Sequence, residues 1–516
     1  MSEDEQQNLA ELQAWGGPAE LSAFEAVMWR AEVDPRLRST TTSVFVLDRA
    51  PDWPRLYSGH QWLVRAVPRF RQRVLDPKIG LPVWVEDTQF NLDYHLRRVS
   101  LPAPGSERQL FDLAQTLAMG PFDRARPPWE GTLVEGLEAG RAAYILKLHH
   151  ATSDGLGIIQ LLRRVLSRSR EHTPRVWPKS APATRTQRAG RLSLSNLLAL
   201  PQAAASAVST LIHGASRAAS DPEAMREALD YGKSAQRVLA IKPVAGSPIL
   251  KRRSLSWRFD GIDLPLIELK AAARACEGSL NDAFLAGLIG GFRRYHEAMG
   301  VPLKQMPIGF PISLRKEGDS MGGNKFAGTQ YPAPIDERDP IARVRHIQAF
   351  VRDARSEPAI GVMVHLMPVV TKLPTAAMTA LTASFTTAQD AQISNIPGIA
   401  EPLYMAGAQV TQFWPFAPVP GCAMMIAMIT HNGRCCIGIN SDRAAVVEPE
   451  LLVDCLREGL EEMLALGRDG SAAAIIKPQP VQATIGEDAS DAKPARASKP
   501  RKPSTQSKRS RASVDA

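Results

Sequence analysis

The stretch Ala143 to Gly157, AYILKLHHATSDGLG, constrains the fold more than any other part of the chain. Tyr144, Ile145, Leu146 and Leu148 make a β-prone apolar run, and after Gly155 and Gly157 the residues Ile158, Ile159, Leu161, Leu162, Val165 and Leu166 recur at helical spacing. The stretch reads as a buried strand, a tight turn and a helix, with His149 and His150 at the strand's end. Successive strand side chains point to opposite faces, so only one of the two imidazoles can face a cleft while the other packs behind it. Asp154 can accept from backbone or imidazole N–H, or pair with an arginine across a domain boundary; each is an orienting role. A neutral imidazole with an ordinary pKa of about 6.5 suits general-base work on a hydroxyl or thiol. A buried histidine is more often a satisfied core residue. Two histidines followed by Asp and Gly as HHxxxDG are harder to explain that way. Zinc needs three or four ligands, and no Cys or third His stands at ligand spacing nearby, so no metal is expected.

Six further stretches stand in order along the chain. They are LSAFEAVMWR (Leu21 to Arg30), PFDRARPPWE (Pro121 to Glu130), SLNDAFLAG (Ser279 to Gly287), PISLR (Pro311 to Arg315) with GGNK (Gly322 to Lys325), SNIPGIAEPLYMAGA (Ser394 to Ala408), and INSD (Ile439 to Asp442). Together with HHxxxDG they resemble the CoA-dependent acyltransferase superfamily. Within it they resemble the bacterial wax ester synthase/acyl-CoA:diacylglycerol acyltransferases, over about Leu21 to Leu466. The resemblance implies an α/β fold of two chloramphenicol-acetyltransferase-like lobes with the active site in a tunnel at their interface. It implies transfer of a long-chain acyl group from acyl-CoA, a co-substrate, to diacylglycerol or a long-chain fatty alcohol, with no cofactor.

On the matching positions the resemblance makes His150 the general base, His149 structural or substrate-guiding, Asp154 orienting, and Gly155 a space for CoA or for the turn. It also carries Asn281, Asp282, Arg315, Ser394 and Asn395 toward substrate. Asp282 has a second reading as the partner of Ser279 in a capping box. Arg71, Arg73 and Arg315 are the three candidate partners for Asp154. Two positions depart from the family: Glu25 stands where Asp is usual, and Ile399 where many relatives carry Pro. No GxSxG elbow occurs and no Cys accompanies the histidines, which favours direct transfer over an acyl-enzyme.

At 516 residues with 44% apolar content the chain is long enough for two domains. The expected division is a polar extension over 1–20, an N-terminal lobe over 21–172, a linker with an amphipathic helix over 173–248, a C-terminal lobe over 249–470 and a disordered basic tail over 476–516. Five cysteines in no repeating spacing point to a reducing, cytoplasmic setting. The acidic start is not a secretory signal, and no run of 18 apolar residues occurs, so no membrane span is expected.

Much of the net charge of +9 sits in the tail. That tail is either a solvated extension or a tether to the inner membrane surface or to lipid droplets. No aromatic residues interleave its charges for base stacking, so nucleic acid is not an expected partner. Leu192 to Ala219 reads as a bridging helix or a membrane-facing one. Two rival functions remain. A condensation-type amide-forming domain lacks its carrier-protein segment here. A catalytically weak member of the fold serving as a lipid-binding or droplet protein is opposed by the intact His150, Asp154 and Asn281.

The periodicities predict strands at Ser39–Leu47, Pro82–Glu86, Asn91–Leu101 and Ser254–Phe259. Helices are predicted at Trp53–Val67, Glu107–Met119, Leu264–Cys276, Ala283–Ala298 and Pro449–Leu466, and a hairpin through Asn432-Gly433. Ser394 to Gly398 reads as a strand end plus turn, Arg69 as exposed, and Pro127-Pro128-Trp129 as a rigid crossing that inserts an aromatic ring. The Met- and Thr-rich stretch over 360–388 reads as core helix or as the lining of an acyl tunnel.

Overall fold

A computed structural model of the protein describes residues 3–77, 80–171, 177, 244–313, 326–357, 366–368 and 370–471. The first half runs α1 (Glu3–Ala14), α2 (Ala23–Ala31), β1 (Thr40–Leu47), α3 (Trp53–Ala66), β2 (Gln72–Leu75), β3 (Val83–Glu86), α4 (Leu92–His95), β4 (Leu96–Ser100), α5 (Glu107–Met119), β5 (Trp129–Glu135), β6 (Ala142–His149) and α6 (Gly155–Val165). The second half continues with β7 (Trp257–Pro265), α7 (Leu266–Ala275), α8 (Leu280–Ala298), β8 (Gln305–Ser313), β9 (Phe326–Pro334), α9 (Pro340–Ser356) and α10 (Thr375–Thr386). It ends with β10 (Ala391–Ile399), β11 (Tyr404–Met405), β12 (Ala408–Phe416), β13 (Met424–His431), β14 (Arg434–Asp442) and α11 (Pro449–Ser471).

The strands form two six-stranded mixed sheets, ordered β11-β12-β1-β6-β5-β4 and β7-β14-β13-β10-β8-β9, with a separate β2-β3 ribbon. The first sheet is covered on both faces, so β1, β5 and β6 are buried along most of their length. Phe45, Leu47, Tyr144 and Leu148 meet α3 and α6 on one side. Val44, Val46 and Ile145 meet Leu110, Phe111 and Ala114 of α5 on the other. The second sheet buries Ile262, Ile308, Ile393, Ile426 and Ile437 against α7, α8, α9 and α11.

The two sheets are joined by a strand that crosses between the halves of the chain. β12 pairs antiparallel with β1, so residues 404–416, which the sequence reading assigned to the C-terminal lobe, complete the first sheet. The same strand lies against β14 and β7 at Gly438 and Gly261, which are cross-strand partners. A Cβ at Gly438 would lie 2.0 Å from the Pro415 carbonyl oxygen, and one at Gly261 would lie 2.8 Å from the Trp414 ring. Phe259 and Phe416 stack alongside, 4.1 Å apart.

Several expectations need correction. Arg69 is buried, 4% exposed, because its guanidinium donates to the carbonyls of Gly16, Gly17 and Pro18 and stacks over Trp84. Burial pulls it down to about 10, against the opposing charge of Glu25. Asn91 to Leu101 is not strand throughout: the Asn91 side chain accepts from Asp93 N at 3.0 Å and caps the single turn α4 before β4 begins. Ser394 to Gly398 lies inside β10 and not in a turn. The helix α10 is mostly exposed, burying Met378 against Val27 of α2 and Val370. Trp129 does insert into a core, its indole donating to Phe70 O at 2.8 Å. Most of the linker with Leu192 to Ala219, the segment 314–325 and the basic tail lie outside the described residues. Among the described residues no helix is long and apolar enough to cross a membrane.

Near the chain's re-entry after the linker, the Asp390 carboxylate accepts from Ser247 N at 2.6 Å, and the Ser247 hydroxyl donates to His296. Burial pushes the Asp390 carboxyl up to about 6, with Ser247 N, Arg253 and Lys251 opposing.

Two predictions follow from these contacts. Gly438→Val should lower unfolding free energy by about 2–3 kcal/mol in urea denaturation, since the added atoms meet backbone and not a movable side chain. Gly59→Ala, where nothing lies within 4 Å, should be neutral or slightly stabilising. Asp390 binds its proton more tightly folded than unfolded. Its contribution is therefore intact below about pH 4 and is lost as pH rises through about 6. Compared with Asp390→Asn, the wild type should lose on the order of 2 kcal/mol across that window; parallel stability-against-pH curves would refute this.

Candidate active site

β6 is held along its length by β1, with Thr40 opposite His149. The pairing continues into the turn: His149 N donates to Pro128 O at 3.0 Å, and His150 N donates to Ser39 O at 2.8 Å. Ala151 N donates to His149 Nδ1 at 3.0 Å, and Thr152 N to His149 O at 2.9 Å. An Nδ1 that accepts leaves the hydrogen on Nε2, which lies 3.2 Å from Glu32 Oε1. Trp29 and Phe122 meet the His149 ring edge-on, with centroids 4.9 and 6.2 Å away. His149 is thus fully enclosed, with Nδ1 hydrogen-bonded and Nε2 facing the Glu32 carboxylate, whereas His150 is half-buried.

The turn after His150 is fixed by its helix. Asp154 is the N-cap of α6, its Oδ1 accepting from Gly157 N at 2.8 Å. Backbone acceptance is one of the roles the sequence left open for it. Trp15 Nε1 donates to Gly157 O at 3.0 Å, closing the first turn from the other side. A Cβ on Gly155 would lie 2.7 Å from Ile396 Cδ1, so this glycine is where β10 of the second sheet approaches the helix. Arg163 of α6 donates to Gly398 O at 2.8 Å and repeats that contact one strand-end further on.

Of the expected site residues, the structure places His149, His150, Asp154 and Gly155 on one turn. Against that turn it sets β10, where Ser394 and Asn395 are half-buried and precede Ile396. Asn281 and Asp282 stand in the first turn of α8. Asp282 is engaged in the capping box, accepting from Ser279 N at 2.8 Å while its own N–H reaches Ser279 Oγ at 3.2 Å. α8 packs chiefly on α11 and α9, in the helical layer of the second sheet. Arg71 pairs with Glu86 at 3.1 Å, Arg73 faces Val85 across the β2-β3 ribbon, and Arg315 lies outside the described residues.

The sheet face that carries His149 is polar beyond it. Lys147, 3% exposed, lies 3.6 Å from Glu130 Oε1 and 4.4 Å from the Phe122 ring, and Arg97 joins Glu130 at 2.8 Å. Burial lowers the Lys147 ammonium, ahead of Glu130, which raises it. The buried hydroxyls of Thr40, Thr42 and Thr152 have no hydrogen-bond partner among the described residues.

Glu32, Trp29, Phe122 and Lys147 were not singled out from the sequence. The signal for Lys147 was present: in AYILKLHH it alternates with His149 and so shares its face. Burial raises all five cysteine thiols, with Cys422, Cys435 and Cys436 pushed up to about 12, so none is poised as a thiolate nucleophile. Among the described residues no three His, Cys, Asp or Glu side chains are grouped to hold a metal ion.

Comparison with known proteins bears on the family and the fold. Residues 20–284 match the family model of the wax ester synthase/diacylglycerol acyltransferase catalytic domain, and residues 322–464 match the C-terminal domain of the same family. A candidate diacylglycerol O-acyltransferase of Mycobacterium tuberculosis is 39% identical over 456 residues, covering 87% of this chain and 92% of that protein. The wax ester synthase/diacylglycerol acyltransferase from Marinobacter aquaeolei VT8 superposes with a TM-score of 0.57 at 20% identity, covering 91% of this chain and 99% of that one. A variant of the starter condensation domain of rhizomide synthetase, solved with C8-CoA, gives 0.54 at 14% identity over 87% of this chain and 94% of that one. The two structural likenesses carry the mixed α/β, two-lobed fold.

The capping geometry makes Asp154 testable apart from catalysis. Asp154→Ala should lower stability by about 1 kcal/mol, while Asp154→Asn and Asp154→Ser, which keep an acceptor, should stay within a few tenths. Thermal unfolding of the three variants measures this, and equal losses in all three would rule out the cap as the side chain's structural role.

Proposed function

The chain belongs to the wax ester synthase/diacylglycerol acyltransferase family and is an acyltransferase, and from that premise we propose that it moves a long-chain acyl group from acyl-CoA to diacylglycerol, to a long-chain fatty alcohol, or to both. The products are triacylglycerol and wax ester. Diacylglycerol is the acceptor named for the mycobacterial relatives, which supports it as the principal one here.

His150 is the general base in this reading. The observation that carries it is the exposure of the two rings: His149 is fully enclosed, its Nδ1 accepting from Ala151 N and its Nε2 facing Glu32, whereas His150 is half-buried on the turn. The His150 imidazole takes the hydroxyl proton of the acceptor as its oxygen attacks the thioester carbonyl. The tetrahedral intermediate then expels the CoA thiolate, and the imidazolium returns the proton to sulfur. Each proton and electron pair is accounted for without a covalent enzyme intermediate, and the raised cysteine thiols support direct transfer.

The oxyanion needs donors. Ala151 and Thr152 N–H are already used on His149 and Gly157 N–H on Asp154, so the proposed donors are the Gly155 and Leu156 N–H groups at the start of α6 and the Asn281 amide. Gly155, with Ile396 against it, sets the width of the gap beside the reacting atoms, and Ser394 and Asn395 line it from β10. An acceptor insoluble in water supports work at a membrane or lipid-droplet surface. α10, which has no charged side chain and is largely exposed, suits such a surface.

Purified protein given labelled long-chain acyl-CoA with diacylglycerol or hexadecanol should form neutral lipid with at least one acceptor, read by thin-layer chromatography. Absence of both products would favour a lipid-binding or droplet protein. His150→Ala should lower kcat about a thousandfold with folding intact, and His149→Ala about ten- to thirtyfold. A His150→Ala protein of undiminished turnover would remove the proposed base.

A further inference from the structure

Glu32 lies just past α2, far before the histidine pair in the chain, and neither motif nor spacing marks it. Its carboxylate nevertheless touches the Ser39 backbone and the His149 ring, the two groups next to the peptide that carries His150. Oε1 accepts from Ser39 N at 2.6 Å, and Ser39 O accepts from His150 N at 2.8 Å. The same oxygen faces His149 Nε2 at 3.2 Å, and His149 Nδ1 in turn accepts from Ala151 N. One carboxylate therefore governs the peptide groups on either side of His150, through β1 on one side and through the neighbouring imidazole on the other.

The surroundings keep it ionised and fixed. Burial alone would raise its carboxyl. The His149 Nε2–H facing it, the Ser39 N–H and the Arg124 charge together outweigh burial and hold it below the ordinary range. Arg124 is itself pinned, donating to Trp29 O at 2.8 Å and stacking over the Trp29 ring, and Trp29 meets the His149 ring from the same side. The assembly does not touch substrate in this arrangement. It works on the backbone that aims His150.

We infer that Glu32 is a positioning residue for the transfer reaction, setting the aim of the His150 imidazole by bridging Ser39 N and His149 Nε2. This rests on the reading of His150 as the base. The bridge depends on reach and on an acceptor oxygen, not on net charge. Glutamine keeps both; aspartate keeps the charge and falls one methylene short; alanine keeps neither. A displacement on the order of 1 Å at a reacting group is worth about a hundredfold in rate.

The test is steady-state kinetics on the full chain with acyl-CoA and diacylglycerol. Glu32→Ala and Glu32→Asp should each lower kcat about twenty- to hundredfold, with KM for both substrates within about twofold, while Glu32→Gln stays within about threefold of wild type. Adding His149→Ala to Glu32→Ala should lower kcat less than about twofold further, since both act through one contact. Gln as damaging as Ala beside a mild Asp would make charge the agent and overturn the inference. So would wild-type kcat in all three, or a raised KM at unchanged kcat. If Glu32→Ala does not fold, the Gln and Asp pair decides the matter alone. His150→Ala separates the two readings: an active protein sinks the base assignment, whereas an inactive one beside unaffected Glu32 variants sinks only the bridge.

Discussion

Strand β1 is hydrogen-bonded along both edges, to β6 on one side and β12 on the other, and the remaining architecture depends on that double pairing. Through β6 it fixes where the strand carrying the histidines ends. Through β12 it ties the first sheet to a segment from the far half of the chain. Since β12 also lies on the paired glycines Gly261 and Gly438, the second sheet is brought to the first at backbone contact distance. Contact that close transmits displacement, because neither carbonyl nor Cα can rotate out of the way as a side chain would. The turn at His150 and the strand at Ile396 are therefore set relative to each other by packing of the main chain.

The polar residues along one face of β6 run against the logic of that core. Lys147 and His149 of β6, opposite Thr42 and Thr40 of β1, continue the face that Ile145, Val44 and Val46 make apolar, and Thr152 follows in the turn. An unpartnered buried hydroxyl is unfavourable by about 1–3 kcal/mol, and a buried ammonium by more unless it is paired. Glu130 and the Phe122 ring offset the second of these. Apolar substitutes would make a more stable sheet, so the polar end of the face is best understood as retained for what happens next to it. Its abrupt start, one strand residue before His149, coincides with the point where the two halves of the chain meet.

The sequence disclosed the strand, turn and helix around HHxxxDG because three independent signals agreed there: alternation, glycine placement and helical spacing. The hairpin through Asn432-Gly433 was legible for the same reason, its two turn residues both taking positive φ. What stayed hidden was whatever depended on distant partners. Arg69 looks like one more surface charge until the three carbonyls after α1 converge on it. Strand β12 was not read from the sequence, and nothing local says that its neighbour is β1 rather than β13. Glu32 is an ordinary glutamate at a helix end, and only the fold brings Ser39 and His149 to it. Periodicity reports which face of an element is buried, not which element covers it.

Adjacent histidines at a strand end solve a problem that one could not. A base must be held firmly yet keep a nitrogen for the incoming hydroxyl, and a ring anchored through both nitrogens loses the second property. In the proposed reading the tasks are divided between neighbours: the enclosed His149, accepting from Ala151 N and facing Glu32, anchors the peptide from which His150 projects, and the half-buried His150 on the turn transfers the proton. The division also explains why Asp154 is drawn into capping α6. With the N-terminal side of the turn fixed by His149 and the C-terminal side by the cap, the backbone over 150–154 is held at both ends. The glycine that follows is then a place where a strand from the other sheet comes close, with Ile396 of β10 against it.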